Sequence, residues 1–253
     1  MEVIQMFEKE FDNYVERGFC ILRGFFNQKE VDELLEHIND YIENEAEKLS
    51  GRDINYADGE INSIHALHKG DNYFTRLAAQ ERILTAAKVF LNAEPELRGA
   101  ELFAKPAKVG MPSPMHQDNF YWCVDGANAL TMWVAMDFCN EENGGIAYYE
   151  GSHKLGIVNH VDSYAPGSSQ KIQEEILMES DNKMKKVVPS VEPGDVLVHH
   201  SLTFHGSSAN KSAKSRRGFT MQFKDKNAKY DKEMLTHYED HLMRQVANRE
   251  AAI

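Results

Sequence analysis

The sequence predicts an α+β, mainly β protein: a β-sandwich or jelly roll braced by helices. Three observations lead there. Up to about residue 95 the apolar positions recur at helical spacing. From Leu97 to about 224 they come in short alternating runs broken by Gly, Pro and Asn, and over 229–250 a charged helical pattern returns. Helices first and many short strands afterwards favour one domain over residues 1–253, with helical support at about 1–95, a β core at about 97–224 and a C-terminal helix at about 229–250.

Taken in order, Ile4, Phe7, Phe11, Tyr14 and Val15 share one face of a helix over 4–17, which Gly18 ends. Residues 19–26 read as a short strand and a turn. Asn27 caps a helix running to about Leu49, with Val31, Leu34, Leu35, Ile38 and Ile42 on its buried side. Segment 50–60, rich in Gly, Asp and Asn, reads as a mobile surface loop, and a helical pair follows at 71–79 and 80–91. The predicted strands are 97–105, 130–138, 145–149, 186–191, 195–200 and 216–224. Polar loops fall at 110–114 and around 159–170, and 170–185 reads as a short helix or lid.

Hydrophobic residues at 42% and charged residues at 27% are ordinary for a soluble globular protein. A net charge of −12 argues against nucleic acid, because neutralising phosphates needs a basic surface. Cys20, Cys123 and Cys139 are too few and too scattered for a disulfide framework, and read as reduced, partly buried thiols. The start Met1-Glu2-Val3 does not read as a signal peptide, and no apolar run reaches membrane-spanning length. The expectation is a cytoplasmic protein, monomer or small homo-oligomer, whose partner is a small molecule.

The chemistry is organised around Met115-His116-Gln117-Asp118. In an extended segment residues i and i+2 point to one side, so His116 and Asp118 can bind one metal together. A third ligand must come from a distant strand. His205 fits, because Pro193-Gly194-Asp195 is a turn feeding the apolar strand that leads to it. Two imidazoles and a carboxylate hold a non-haem Fe(II) on one face and leave positions open. His199 and His200 are the rivals for the third place; alternation turns one of them inward, where a buried, hydrogen-bonded histidine is the plainer role. His205 is preferred because Ser207 and Arg216 follow it. Arg216 can meet a carboxylate bidentately, which suits a dicarboxylate, while its neighbour Arg217 falls on the other side of the strand as a surface charge. His153 reads as a turn residue, and Phe120-Tyr121-Trp122 as core packing or as the lining of a substrate mouth.

These motifs, in this order, resemble the phytanoyl-CoA dioxygenase family of Fe(II)/2-oxoglutarate oxygenases. The likeness lies in His116-Gln117-Asp118, Trp133 through Asp137, Asn143-Gly144-Gly145 leading into Glu150-Gly151-Ser152-His153-Lys154, and Pro193-Gly194-Asp195 through Arg216. It covers roughly 97–224. The resemblance implies a double-stranded β-helix, the jelly roll also found in cupins. It makes His116, Asp118 and His205 the iron ligands and gives the distal carboxylate of 2-oxoglutarate to Arg216, with Ser207 assisting. Trp133 becomes a wall of the cosubstrate pocket, and Thr131, on the same face, offers a hydroxyl. With O2, such a site hydroxylates a small organic substrate and releases succinate and CO2. Halogenating relatives carry a small residue in place of Asp118. In some relatives an upstream lysine helps hold the cosubstrate; here the region reads Asn62-Ser63-Ile64-His65, so His65 or another residue takes that place.

Two other readings remain at this point. One is a cupin-like metalloenzyme that does not use 2-oxoglutarate. The other is a non-catalytic binding protein on the same fold, against which the full set of His, Asp, His and Arg speaks. The acidic balance disfavours a CoA ester, whereas a patch of Lys105, Lys108, Lys183, Lys185 and Lys186 would favour one. Loops 50–70 and 159–185 are the candidates for substrate selection.

Overall fold

The computed structural model describes residues 2–51, 53–163 and 169–250. It begins with α1 (Glu2–Arg17), β1 (Phe19–Leu22) and α2 (Gln28–Glu45), then β2 (Ile54–Ala57) and β3 (Glu60–Ile64), then α3 (Leu67–Gly70), α4 (Asn72–Ala78) and α5 (Glu81–Leu91). There follow β4 (Pro95–Lys105), β5 (Ser113–His116), α6 (Asp118–Trp122), β6 (Ala129–Ala135), β7 (Ile146–Tyr149), β8 (His160–Asp162) and β9 (Gln170–Ile172). The chain continues through α7 (Glu174–Lys183), β10 (Lys186–Val187), β11 (Val196–His200), β12 (His205–Ser207), β13 (Arg216–Asp225) and α8 (Lys232–Glu250).

Seven strands form an antiparallel sheet in the order β1-β11-β6-β13-β4-β3-β2, and four form a second sheet in the order β10-β7-β12-β5. The two face each other as a jelly roll. Alternation along each strand sorts the large sheet into two faces. Leu130, Met132, Val134, Val196, Val198, Phe219, Met221 and Phe223 are fully buried on the outer face, against Phe7, Leu34, Ile38, Phe74 and Phe90 of the helices. Phe19, Trp133 and Leu197 turn inward and pack on Ile146 and Tyr148 of the small sheet.

The helical layer forms for local reasons. Asn27 accepts from the Glu30 amide while the Glu30 side chain accepts from the Asn27 amide, a reciprocal cap that starts α2 where expected. That helix ends at Glu45 and passes into a single 3-10 turn, Ala46–Lys48, short of Leu49. Val15 is 49% exposed and stands off the face that buries Phe7 and Tyr14; the Ile4 side chain lies outside the described residues.

From Ile54 onward, segment 50–60 is a hairpin and not a loop. It supplies β2 and the start of β3, whose Ser63 and Ile64 pair with Phe103 and Leu102 and so extend the large sheet. The Asp58-Gly59 pair that suggested a loop is the two-residue hairpin turn, with positive φ at both positions; Arg52 lies outside the described residues. The loop predicted at 110–114 is partly β5, and that at 159–170 is bracketed by the β8–β9 hairpin, with 164–168 outside the described residues. The strand expected over 186–191 is only β10. All three cysteines are free and buried. No helix among the described residues is long and apolar enough to cross a membrane.

Candidate metal centre

Antiparallel pairing of β5 with β12 sets His116 directly opposite His205. The strand ends at His116; Gln117 stays extended for one more residue, and Asp118 opens α6. Gln117 is fully buried and turned away, donating to the Gly156 and Leu202 carbonyls and accepting from the Val158 amide. Its neighbours are thereby turned to the other side. His116 Nε2 lies 3.6 Å and His205 Nε2 3.5 Å from Asp118 Oδ1, and one donor atom from each of the three residues falls within 4.8 Å of the others.

The tautomers follow from the second ring nitrogens. His116 Nδ1 donates to the Pro114 carbonyl at 2.8 Å and His205 Nδ1 to the Thr203 carbonyl at 2.9 Å, which leaves both Nε2 lone pairs pointing into the cluster. Burial, then the nearby His116, holds the His205 pKa well below the usual imidazole range. Burial would raise the Asp118 pKa, but His205, His116 and His199 outweigh it and hold it well below the ordinary carboxylate value. A neutral imidazole and an ionised carboxylate are the states in which these groups bind a cation, so this donor set fits a divalent metal.

The other oxygen of Asp118 is engaged from behind. Thr131 donates its hydroxyl to Oδ2 at 2.7 Å, and His199 Nε2 approaches the same atom at 3.2 Å. Tyr148, its phenol kept protonated by burial, donates to His199 Nδ1 at 2.9 Å. Thr131 therefore serves the carboxylate rather than standing free for a cosubstrate. His199 is the buried, hydrogen-bonded histidine of the rival pair. His200 lies on the outer side against Tyr14, its pKa pushed down to about 4, mainly by burial.

A cavity of about 470 Å³ holds the cluster and extends past Trp133 and Ser207 to Arg216. Arg216, 2% exposed, spends Nε and Nη2 on the Gly144 carbonyl. Lys105, paired with Arg216 in register, is also buried and donates to the Met111 and Ser208 carbonyls. Burial, then the Arg216 charge, pushes the Lys105 pKa down to about 6. Neither side chain is paired with a carboxylate among the described residues, and a desolvated guanidinium charge left that way costs several kcal/mol. Two glycines make this pocket possible. A Cβ at Gly144 would stand 2.7 Å from the Ser208 carbonyl and 2.8 Å from the Lys105 side chain, at φ +80°; one at Gly218 would stand 2.0 Å from the Trp133 ring. The Trp133 indole lies 5.4 Å from the Arg216 guanidinium.

Lys105 was the residue that sequence reasoning misplaced. It belongs to no surface patch: Lys108, Lys183, Lys185 and Lys186 are exposed, with Lys183 held by Glu179 and Lys185 near Glu150. The signal that could have found it is inward parity on β4, where Glu101, Phe103 and Lys105 all line the cavity. His65 also lines it, but its ring is engaged by Glu101 at 3.2 Å; burial opposes the charge, and the carboxylate outweighs it to raise the pKa. Arg217 forms a two-point pair with Asp137, as a side chain outside the cavity. His153 bonds the Val15 carbonyl. Tyr121 and Trp122 line the cavity with Tyr238 of α8, whereas Phe120 stacks on His160 at 4.0 Å. Of the two loop segments, 50–70 contributes Asn62, Ser63 and His65 to the wall; no described residue of 159–185 does.

Comparisons with known proteins bear on the family and the fold. The sequence profile of the phytanoyl-CoA dioxygenase (PhyH) family matches residues 14–218. A probable alpha-ketoglutarate-dependent hypophosphite dioxygenase of Stutzerimonas stutzeri is 26% identical over 226 residues, covering 84% of this chain and 76% of the relative. The peroxisomal phytanoyl-CoA dioxygenase of Bos taurus is 23% identical over 242 residues, covering 90% and 71%. In fold, the chain resembles EctD from S. alaskensis, solved with 2-oxoglutarate and 5-hydroxyectoine, at a TM-score of 0.74 with 23% identity over 88% of this chain and 77% of that one.

Proposed function

The chain belongs to the phytanoyl-CoA dioxygenase family and is an Fe(II)- and 2-oxoglutarate-dependent dioxygenase; we propose that His116, Asp118 and His205 hold its iron, and that Arg216 and Lys105 hold the far carboxylate of its cosubstrate. The observation that carries the reading is the pairing of two elements in one cavity: a metal-competent cluster, and two buried basic side chains that no carboxylate pairs with among the described residues. A bound Fe(II) with 2-oxoglutarate and O2 supplies the oxidising power, one oxygen atom going to the substrate and the other to succinate as CO2 leaves.

The chain's own residues do the rest. The Pro114 and Thr203 carbonyls fix which imidazole nitrogens face the metal. Thr131 and His199 take one oxygen of Asp118, so that Oδ1 is the one presented to the histidines. Trp133, wedged over Gly218, walls the passage to Arg216 and keeps water from the cationic end. Ser207 lies in the same wall, in reach of that end by its place on β12. The substrate is a small organic molecule entering past Tyr121 and Tyr238.

The test is anaerobic addition of Fe(II), then 2-oxoglutarate, to the metal-free protein. A weak visible charge-transfer band that needs both additions and disappears in His116→Ala is the expected result. Iron binding without the band would remove 2-oxoglutarate from the reading, and no iron binding at all would remove the metal.

A further inference from the structure

One cation in the cavity is used by neither the metal cluster nor the cosubstrate pocket. Residue Arg98 is the extra residue of a β-bulge: Gln222 pairs with Gly99 and Phe223 with Leu97, and Arg98 has no partner across the ladder. Regular alternation from Leu102 and Ala100, both packed on the helices, would send residue 98 to the same outer face. The bulge reverses that. Leu97 goes to the helical core and Arg98 turns into the cavity. Bulges beside active sites re-aim side chains in this way.

What Arg98 meets there is incomplete for a guanidinium. Its Nη1 donates to Gln222 Oε1 at 3.0 Å and its plane lies 4.7 Å over the Trp122 ring, while its Nε is buried with no hydrogen-bond partner. The nearest acid is already engaged, since Glu101 accepts from Gln222 Nε2 at 2.9 Å and pairs with His65. The same bond to Glu101 turns the Gln222 oxygen toward Arg98, fixing the guanidinium in place. Among the described residues no carboxylate pairs with it.

Strand register locates Arg98 relative to the metal. Gly99 lies opposite Gln222, and Gln222 opposite Thr131, whose hydroxyl holds Asp118. Arg98 therefore lies two strand spacings, roughly 10 Å, from the strand whose Thr131 holds Asp118, in the same cavity as the cluster. Lys105 and Arg216 sit six residues further along those strands, toward the other end of the cavity. A diacid as short as 2-oxoglutarate does not need both ends. The geometry points to Arg98 as the anchor for an anionic group, carboxylate or phosphonate, on the primary substrate, whose apolar body then lies against Trp122, Tyr121 and Tyr238. This rests on the assignment of Arg216 and Lys105 to the cosubstrate.

The test uses full-length protein loaded anaerobically with Fe(II) and 2-oxoglutarate, and reads the fluorescence of its two tryptophans, one of which lies under Arg98. Phenylacetate, hexanoate and methylphosphonate are each titrated beside a neutral counterpart of the same shape. At least one anion should change the signal saturably where its counterpart does not, and Arg98→Met should weaken that anion by roughly ten- to a hundredfold, as loss of a charge-assisted pair does. Gln222→Glu, which supplies Arg98 with an internal carboxylate, should weaken it similarly. The visible band of the 2-oxoglutarate complex should titrate unchanged in Arg98→Met. Equal response to anions and neutral counterparts, or an undiminished response in Arg98→Met, overturns the proposal. A shifted 2-oxoglutarate titration in Arg98→Met also overturns it, by giving Arg98 to the cosubstrate. Failure of the wild-type protein to form the band at all is a separate result, and strikes at the cosubstrate reading instead.

Discussion

The two faces of the seven-stranded sheet come from the same strands and do opposite work. On β13, Phe219, Met221 and Phe223 are sealed against helices, while Arg216, Thr220 and Gln222 line the cavity. On β6 the division runs between Leu130, Met132 and Val134 on one side and Thr131 and Trp133 on the other; on β11, between Val198 and His199. The outer face is apolar and gains from burial alone. The inner face is polar where it lines the cavity, and nearly every polar group there has a named partner. Stability and chemistry are thus separable one residue at a time, and a slip of one residue in register would exchange them.

Four substitutions or conditions sharpen that contrast. The largest effect belongs to the inner face: Asp118→Ala should abolish turnover and iron binding while leaving the melting temperature of the metal-free protein little lowered, and wild-type succinate release in that variant would refute the cluster. Next is its outer counterpart. Phe219→Ala should cost about 3–5 kcal/mol in denaturant unfolding by opening a cavity in a fully buried site, yet leave the 2-oxoglutarate requirement of the folded fraction unchanged. Arg216→Ala should do the reverse, raising the 2-oxoglutarate requirement by about two to three orders of magnitude, or roughly 3–4 kcal/mol. Steady-state titration of both variants decides whether the faces are as independent as their packing implies.

The smallest effect is one of pH. With its pKa pushed down to about 6, Lys105 is largely neutral at pH 7 in the unliganded protein. A carboxylate beside it favours the charged form, so binding takes up a proton. Cosubstrate affinity should then be flat below about pH 6 and fall as pH rises above it, by at most about tenfold per unit. Lys105→Met should remove the slope. A wild-type slope of zero between pH 6 and 8 would take Lys105 out of the cosubstrate pocket.

Much of this division was legible in the sequence because strand periodicity is. The alternation in Leu130 through Val134 and in Phe219 through Phe223 predicts both faces, and the cluster follows from the order of His116, Asp118, His205 and Arg216. What escaped was non-local or broke the period. The β2–β3 hairpin looked like a loop because its turn residues dominate its composition, while the pairing that makes it a strand comes from β4. Lys105 looked like surface because lysine usually is; only its register with Arg216 draws it inside. Arg98 has the wrong parity for the cavity, and no local pattern announces the bulge that corrects it. Thr131 sits on the predicted face, but its partner is Asp118, thirteen residues away, rather than a ligand.

The crowding of Lys105 against Arg216 has a bearing on the lifetime of the protein as well as on its catalysis. Burial and the Arg216 charge together disfavour the Lys105 proton, a cost that a bound anion would lift. An anion that relieves this binds the folded chain and not the unfolded one, and at a hundred times its dissociation constant it adds about 2.7 kcal/mol to the folding free energy. Heat and proteases should therefore remove the starved protein before the supplied one. The quantity of enzyme, and not only its rate, would then follow the metabolic supply of its own cosubstrate.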